Sequence, residues 1–342
     1  KKIFLSLLFT ISIKRGGFAT QGLPSQLQVL IPLPLIFFSE NFKYSGENPT
    51  FNANFKQKNI ILIIDESVSY EYFRRAKNLE KNVDQNFKHL KKFHSIHNCS
   101  AQAVFSLMNG IKVNQDSIVL RKNLWLQAKE ADYKTLYFSA QEKLGNYQYL
   151  QTIKELSSID EKYFFNHLNE KERDKILLKK LIDVSSKKDN QFIVVIKNGS
   201  HFPYFNKFDL NKFNLHKNSD KNLVYTYSIK ENSINFLKDL ISKFKKNNDI
   251  IYLSDHGQYL KRKKLSHCNS TNPEIEEWEI PILYYKNNIN KPINIKSNLN
   301  LYDFIISKMG FEIKLPQRER TKLFYGNLNK RFNKQIKFKT LE

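Results

Sequence analysis

The chain has 342 residues, 41% of them hydrophobic and 13% aromatic, which is enough to fill the core of one large α/β domain and argues against disorder. Its 56 Lys+Arg against 33 Asp+Glu leave a formal charge of +23, and two cysteines exclude a disulfide-dense scaffold. No Cys/His set has zinc-finger spacing, and neither collagenous nor coiled-coil composition is present. The positive charge is spread along the chain, so compositional habit accounts for it as well as an anionic partner does. No fingerprint of an RNA- or DNA-reading module occurs, and nucleic acid is not expected as a partner.

The chain opens on Lys1 rather than Met, which leads us to expect a fragment or a processed product. Ile3 to Ile13 and Val29 to Phe38 are apolar runs too short to cross a bilayer as helices. Three readings of the first run stand open: the end of a membrane helix, a shortened signal-peptide core, or a segment buried on the domain. Residues 1–57 are expected to form a membrane-proximal segment and linker, with Gly, Pro and Asn punctuation from residue 14 onward.

From residue 58 short apolar runs alternate with longer amphipathic stretches. The expected strands are Asn59–Asp65, Lys134–Ser139, Phe192–Lys197, Ile250–Ser254 and Pro281–Tyr285, several apolar on both faces as buried parallel strands are. Helices are expected around 71–92, 122–131, 170–184 and 224–246. This alternation predicts an α/β fold, a three-layer α/β/α sandwich with a mostly parallel sheet, over residues 58–307. Residues 308–342, with ten Lys/Arg against three Glu, read as a solvated basic tail.

In open parallel sheets, ligands bind beyond the carboxyl ends of the strands. There the first strand offers Asp65-Glu66-Ser67, the third Asn198-Gly199-Ser200-His201, and the fourth Ser254-Asp255-His256-Gly257, followed by Ser266-His267-Cys268. Carboxylates and imidazoles from three strand ends on one edge are a donor set that suits zinc. Taken singly, an Asp at a strand end is more often a turn or cap residue; the combination carries the expectation. Gly257 is expected to permit the tight turn that two adjacent ligands need. Ser100, among small residues leading into an apolar helix-like run, would present its hydroxyl and free N–H groups to a phosphate, although an isolated Ser there is more often only a cap. Gln141, at another strand end, is a candidate pocket residue, with a turn role as its plainer alternative.

The order of these residues resembles the phosphoethanolamine transferases, membrane-anchored enzymes of the alkaline phosphatase and sulfatase superfamily. The likeness rests on GSHFPYFNKF (199–208) and LSDHG (253–257), supported by IIDES (63–67), NCSAQAVFSLM (98–108), LSHCN (265–269) and the helical stretch 225–241. It spans about residues 58 to 290.

The resemblance implies an alkaline phosphatase-like fold and one or two Zn2+ ions bound by Glu66, Ser100, Asp255 and His256. Ser100 would be the catalytic nucleophile, with His201, His267 and Gln141 on the substrate side. It further implies a phosphatidylethanolamine donor, an anionic glycolipid acceptor of the lipid A type, several upstream membrane helices and a periplasmic domain on the inner membrane. Ser stands where the family usually has Thr, and one position closer to the Cys. Gln258 stands where the family commonly has Glu after Asp-His-Gly. A sulfatase nucleophile needs Cys-x-Pro-x-Arg, and Cys99-Ser-Ala-Gln-Ala lacks the Pro and the Arg. A metal-dependent phosphatase or phosphodiesterase and a phosphoglycerol transferase share the same site plan. A basic binder of anionic membrane is the non-enzymatic alternative. Cys99 and Cys268 flank two of these residues; one disulfide and two free thiols are both open.

Overall fold

The computed structural model describes residues 43–45, 49–80, 85–114, 117–141, 153–186, 190–244, 248–261, 266–313, 320–326 and 337–341. The two N-terminal apolar runs lie outside them. The described strands are β1 (Lys43–Tyr44), β2 (Asn59–Asp65), β3 (Lys91–His94), β4 (Ile111–Asn114), β5 (Ser117–Leu120), β6 (Lys134–Ser139), β7 (Glu161–Phe164), β8 (Gln191–Ile196), β9 (Asn248–Ser254), β10 (Glu279–Lys286), β11 (Ile289–Lys291), β12 (Lys322–Phe324) and β13 (Phe338–Thr340). The helices are α1 (Tyr70–Asn78), α2 (Ser100–Asn109), α3 (Leu124–Glu130), α4 (Ile153–Ser157), α5 (Glu170–Ser185), α6 (Lys221–Ile229), α7 (Asn235–Lys243) and α8 (Leu301–Lys308), with a π-turn at Lys230–Ile234 joining α6 to α7.

An eight-stranded sheet in the order β11-β10-β9-β2-β8-β6-β7, with β3 also paired to β10, forms the middle layer. Strands β9, β2, β8, β6 and β7 run parallel, and β10 is antiparallel to β9 and β3. Every residue of β2, β8 and β9 is buried. Their apolar side chains therefore alternate between two cores rather than between core and water. Ile61, Ile63, Ile193, Val195 and Tyr252 pack beneath α1, α5, α6 and α7. Ile60, Leu62, Ile64, Val194 and Leu253 pack beneath α2, α3 and α8. The expected three-layer α/β/α sandwich is what the chain forms.

Three local expectations are corrected. The helix expected over 71–92 ends at Asn78; a 3-10 turn at Gln85–Phe87 and edge strand β3 follow it. Residues 49–57 are not a free linker, since Asn52 N and Gln57 N donate to Gly310 and Lys308 carbonyls at 2.8 and 3.0 Å. Nor is the C-terminal stretch wholly solvated: Leu323 and Phe324 are fully buried, and Phe324 O accepts Trp278 Nε1 at 3.0 Å.

Candidate metal and nucleophile site

The parallel sheet brings the carboxyl ends of β2, β8 and β9 side by side. Glu66 follows β2, Asp255 and His256 follow β9, and one oxygen or nitrogen from each lies within 4.8 Å of the others. All three are buried. His256 Nε2 stands 3.7 Å from Glu66 Oε1 and 3.5 Å from Asp255 Oδ2.

Ser100 is the first residue of α2 and Cys99 its cap, so the hydroxyl stands at the positive end of a ten-residue helix. Its Oγ donates to Glu66 Oε1 at 3.0 Å and stands 3.0 Å from His256 Nε2. Side chains up to 190 positions apart in sequence thus meet at one hydroxyl.

Hydrogen bonds fix the pieces. The Asp255 backbone carbonyl accepts Ser95 Oγ, and Asp255 Oδ1 accepts the amides of Ser67 and His256 at 2.9 and 2.7 Å. Ser67 has φ +60°, a sharp reversal that points its amide back at Asp255. Gln141 Nε2 donates to Glu66 Oε2 at 2.7 Å and to Lys197 O at 2.9 Å, so this residue reaches the site by orienting Glu66. His267 lies flat on His256, ring centroids 4.2 Å apart at 25°. His201 is exposed, with Nδ1 2.6 Å from Phe202 O, and stands outside the inner cluster.

Cys99 and Cys268 are bonded to each other, which settles the open question of their pairing and ties the turn before Ser100 to the His267 loop across 169 positions of sequence. A bonded Cys99 also has no thiol to convert into a sulfatase-type nucleophile. Gly257 corrects the tight-turn expectation. It has no positive φ among the described residues; a Cβ there would stand 2.2 Å from Glu276 O and 2.6 Å from Glu279 O, so the need is for close approach of backbones. Gly199 does need its conformation, with φ +55° and a Cβ position 2.7 Å from the Glu66 backbone.

The charges in this cluster are mutually dependent. Burial pushes the Asp255 carboxyl up, and the Glu66 charge beside it pushes the same way. Burial also works against the ionised Glu66, yet the nearby imidazole of His256 and, farther out, that of His201 hold it well below the usual carboxylate range. His256 is opposed by burial but raised to about 9 by Asp255 and Glu66. Burial, reinforced by the His256 charge, keeps His267 neutral well below its ordinary value.

Asp255 Oδ2 is buried and makes no hydrogen bond among the described residues. An orphaned carboxylate oxygen beside a second carboxylate and an imidazole fits a divalent cation, and the mixed O/N set fits zinc. Glu66, Asp255 and His256 would hold it next to Ser100 Oγ.

Sequence alone assigns no role to several supporting residues. Gln258, buried, donates to Ser67 O and accepts from Tyr204 and Ser266, knitting three site loops together. Glu277 accepts Asn98 Nδ2 at 2.8 Å and Asn269 Nδ2 at 2.7 Å, bracing the disulfide. Asp65 and Lys197 form an ion pair beneath Glu66. The Asp-Glu doublet of the first strand end was the only available signal for Asp65.

Comparison with curated protein sequences finds no match. Among solved structures, the chain is similar to the zinc complex of the C-terminal periplasmic domain of EcEptC from Escherichia coli, with 18% identity and a TM-score of 0.66 over 85% of this chain and 94% of that one. It is also similar to the soluble domain of lipooligosaccharide phosphoethanolamine transferase A from Neisseria meningitidis (14% identity, TM-score 0.58, 79% and 94% covered). The lipoteichoic acid synthase LtaP from Listeria monocytogenes is similar at 13% identity and a TM-score of 0.52, with 82% and 78% covered. At these identities the structures speak for the fold. The family model described as Sulfatase matches residues 58–310, so the chain belongs to the sulfatase family and carries its alkaline phosphatase-like domain.

Proposed function

We propose that this domain is a zinc-dependent phosphoethanolamine transferase working through a covalent Ser100 intermediate. The observation that carries the reading is Ser100 Oγ within 3.0 Å of both Glu66 Oε1 and His256 Nε2 at a helix N-terminus. Support comes from the neighbours named above, one holding Zn and one a lipooligosaccharide phosphoethanolamine transferase.

In the first step Ser100 Oγ forms a bond to the phosphorus of phosphatidylethanolamine as the bond to the diacylglycerol oxygen breaks. The hydroxyl proton passes along the hydrogen bond to Glu66 Oε1 and on to water, and the departing diacylglycerol oxygen takes up a proton from water. A zinc ion held by Glu66, Asp255 and His256 would lower the pKa of the hydroxyl and neutralise charge on the phosphoryl oxygens. The free amides at the start of α2 face the same oxygens. Neutral His267, stacked on His256, and His201 at the mouth stand on the substrate side. In the second step a hydroxyl or phosphate oxygen of an anionic glycolipid, lipid A-like, bonds to phosphorus, giving up to water any proton it carries, and Ser100 Oγ leaves, taking a proton from water by way of Glu66 Oε1. The domain would act at the periplasmic face of the inner membrane, where its lysines favour anionic headgroups. No helix among the described residues is long and apolar enough to cross a membrane.

Incubation with labelled phosphatidylethanolamine is expected to add the mass of phosphoethanolamine to Ser100, and Ser100→Ala to abolish the adduct. Release of free phosphate from a generic ester with no adduct would favour a phosphatase. An adduct of glycerol phosphate from phosphatidylglycerol would favour the phosphoglycerol transferase.

A further inference from the structure

Lys197, the residue after β8, has no solvent exposure. An ammonium without water must find its acceptors inside the protein. Its Nζ donates to Asp65 Oδ2 at 2.7 Å and to the Asn232 carbonyl at 2.6 Å, lies 3.8 Å from Asp174 Oδ2, and sits 4.5 Å over the Phe236 ring. The Asn232 carbonyl belongs to the π-turn, and the next residue, Ser233, donates to Asp65 Oδ2 at 2.7 Å. Tyr252 of β9 adds a third donor to the same oxygen at 2.7 Å. A helix interrupted by a π-turn is a local departure of the kind that gathers at functional sites.

Stability alone does not call for this cluster, because a buried ion pair is often no better than apolar residues of the same volume. Its placement gives it another use. Asp65 Oδ1 accepts the Glu66 amide at 3.0 Å. Asp174 accepts the amides of Asn198 and Gly199 at 2.8 and 3.0 Å, fixing the loop that carries His201. The two backbones meet directly, Ser200 N donating to Glu66 O at 3.1 Å.

We infer that Lys197 is a positioning residue: by neutralising Asp65 and Asp174 together, its one charge sets Glu66 as a metal ligand and locks the Gly-Ser-His loop against it. The inference deepens the proposed function and rests on its reading of Glu66 as a zinc ligand. Lys197 touches neither the reacting hydroxyl nor the proposed metal ligands. Its effect passes through the amides of Glu66, Asn198 and Gly199.

The test is zinc affinity, measured by competition with a chelator on the full chain, together with hydrogen exchange resolved by peptide. Folded Lys197→Met is expected to bind zinc ~10–100-fold more weakly, the range found when partners behind a ligand are removed. Exchange should quicken in segments 60–67 and 192–201 while β6 and α3 keep the parent's protection; a merely structural loss would raise exchange throughout. Where Lys197→Met does not fold, Ser233→Ala and Tyr252→Phe each remove one hydrogen bond to Asp65 and leave no charge unpaired. Each should weaken zinc binding by ~2–3-fold, and the pair by about 10-fold. Unchanged zinc affinity and unchanged local exchange in these folded variants overturn the inference. A parent chain that binds no zinc instead removes the metal reading and this inference with it.

Discussion

Breaking the Cys99–Cys268 bond gives the most direct measure of how the two halves of the site are held. The bond closes a loop across 169 positions of sequence. The chain-entropy relation for a loop of that length gives about 5 kcal/mol of destabilisation of the unfolded chain, an upper value because denatured chains keep some structure. The folded loop itself should stay in place on reduction. Cys268 N still donates to Asn98 O at 2.9 Å, and Asn98 still bonds Glu277 and Asn269. The effect should therefore appear in unfolding equilibria more than in the folded state's spectrum. With a urea slope of about 3 kcal/mol per M, the midpoint should fall by up to about 1.7 M in the double variant Cys99→Ser/Cys268→Ser, and by the same amount for the parent in a phosphine reductant. Identical midpoints for oxidised and reduced parent, or alkylation of two thiols without reductant, would refute the reasoning.

Two further perturbations probe the architecture around the site. Gly199→Ala places a Cβ 2.7 Å from the Glu66 backbone at φ +55°, and should cost about 2–4 kcal/mol of stability; a urea midpoint matching the parent's would contradict it. His97, fully buried, donates from Nε2 to Gly326 O at 3.0 Å, and burial pushes its pKa down to about 3. Because the unfolded chain takes up this proton near pH 6.5 and the folded one only near 3, stability should be lost as pH is lowered from 6.5 toward 3, at about 1.4 kcal/mol per unit. His97→Gln should flatten this slope, and an unaltered pH profile would show that His97 does not contribute.

The central strands were legible because burial on both faces writes them as unbroken apolar runs. Asn59–Asp65 and Lys134–Ser139 match β2 and β6 residue for residue. Edge strands carry no such mark. β3 reads KKFH, with one apolar residue in four, and nothing in it separates a strand from the helix expected around 71–92. Pairing of Phe93 with Ile280 of β10, a contact across nearly 190 positions, decides the matter. In the C-terminal stretch charge dominated the composition, and a few apolar residues, Met309, Phe311, Leu323 and Phe324, do the burying among the described residues.

At the site, the residues at the ends of β2 and β9 and at the start of α2 were legible because a parallel sheet sends every strand's carboxyl end to one edge, so topology alone brings them together. What the sequence hides is the layer beneath. Lys197 and Asp65 look like ordinary polar residues flanking apolar runs, and only the packing of α6, the π-turn and α7 over that sheet edge shows that neither meets water. Gln258 is similar. Where a Glu in that position would bring a further buried negative charge near Glu66 and Asp255, the neutral amide both accepts, from Tyr204 and Ser266, and donates, to Ser67 O. A residue that departs from the resembling family thus completes a hydrogen-bond network a carboxylate could not, because an ionised carboxylate has no proton to give the Ser67 carbonyl. Departures from a motif at buried positions are therefore better read against the donors and acceptors that surround them than against the motif.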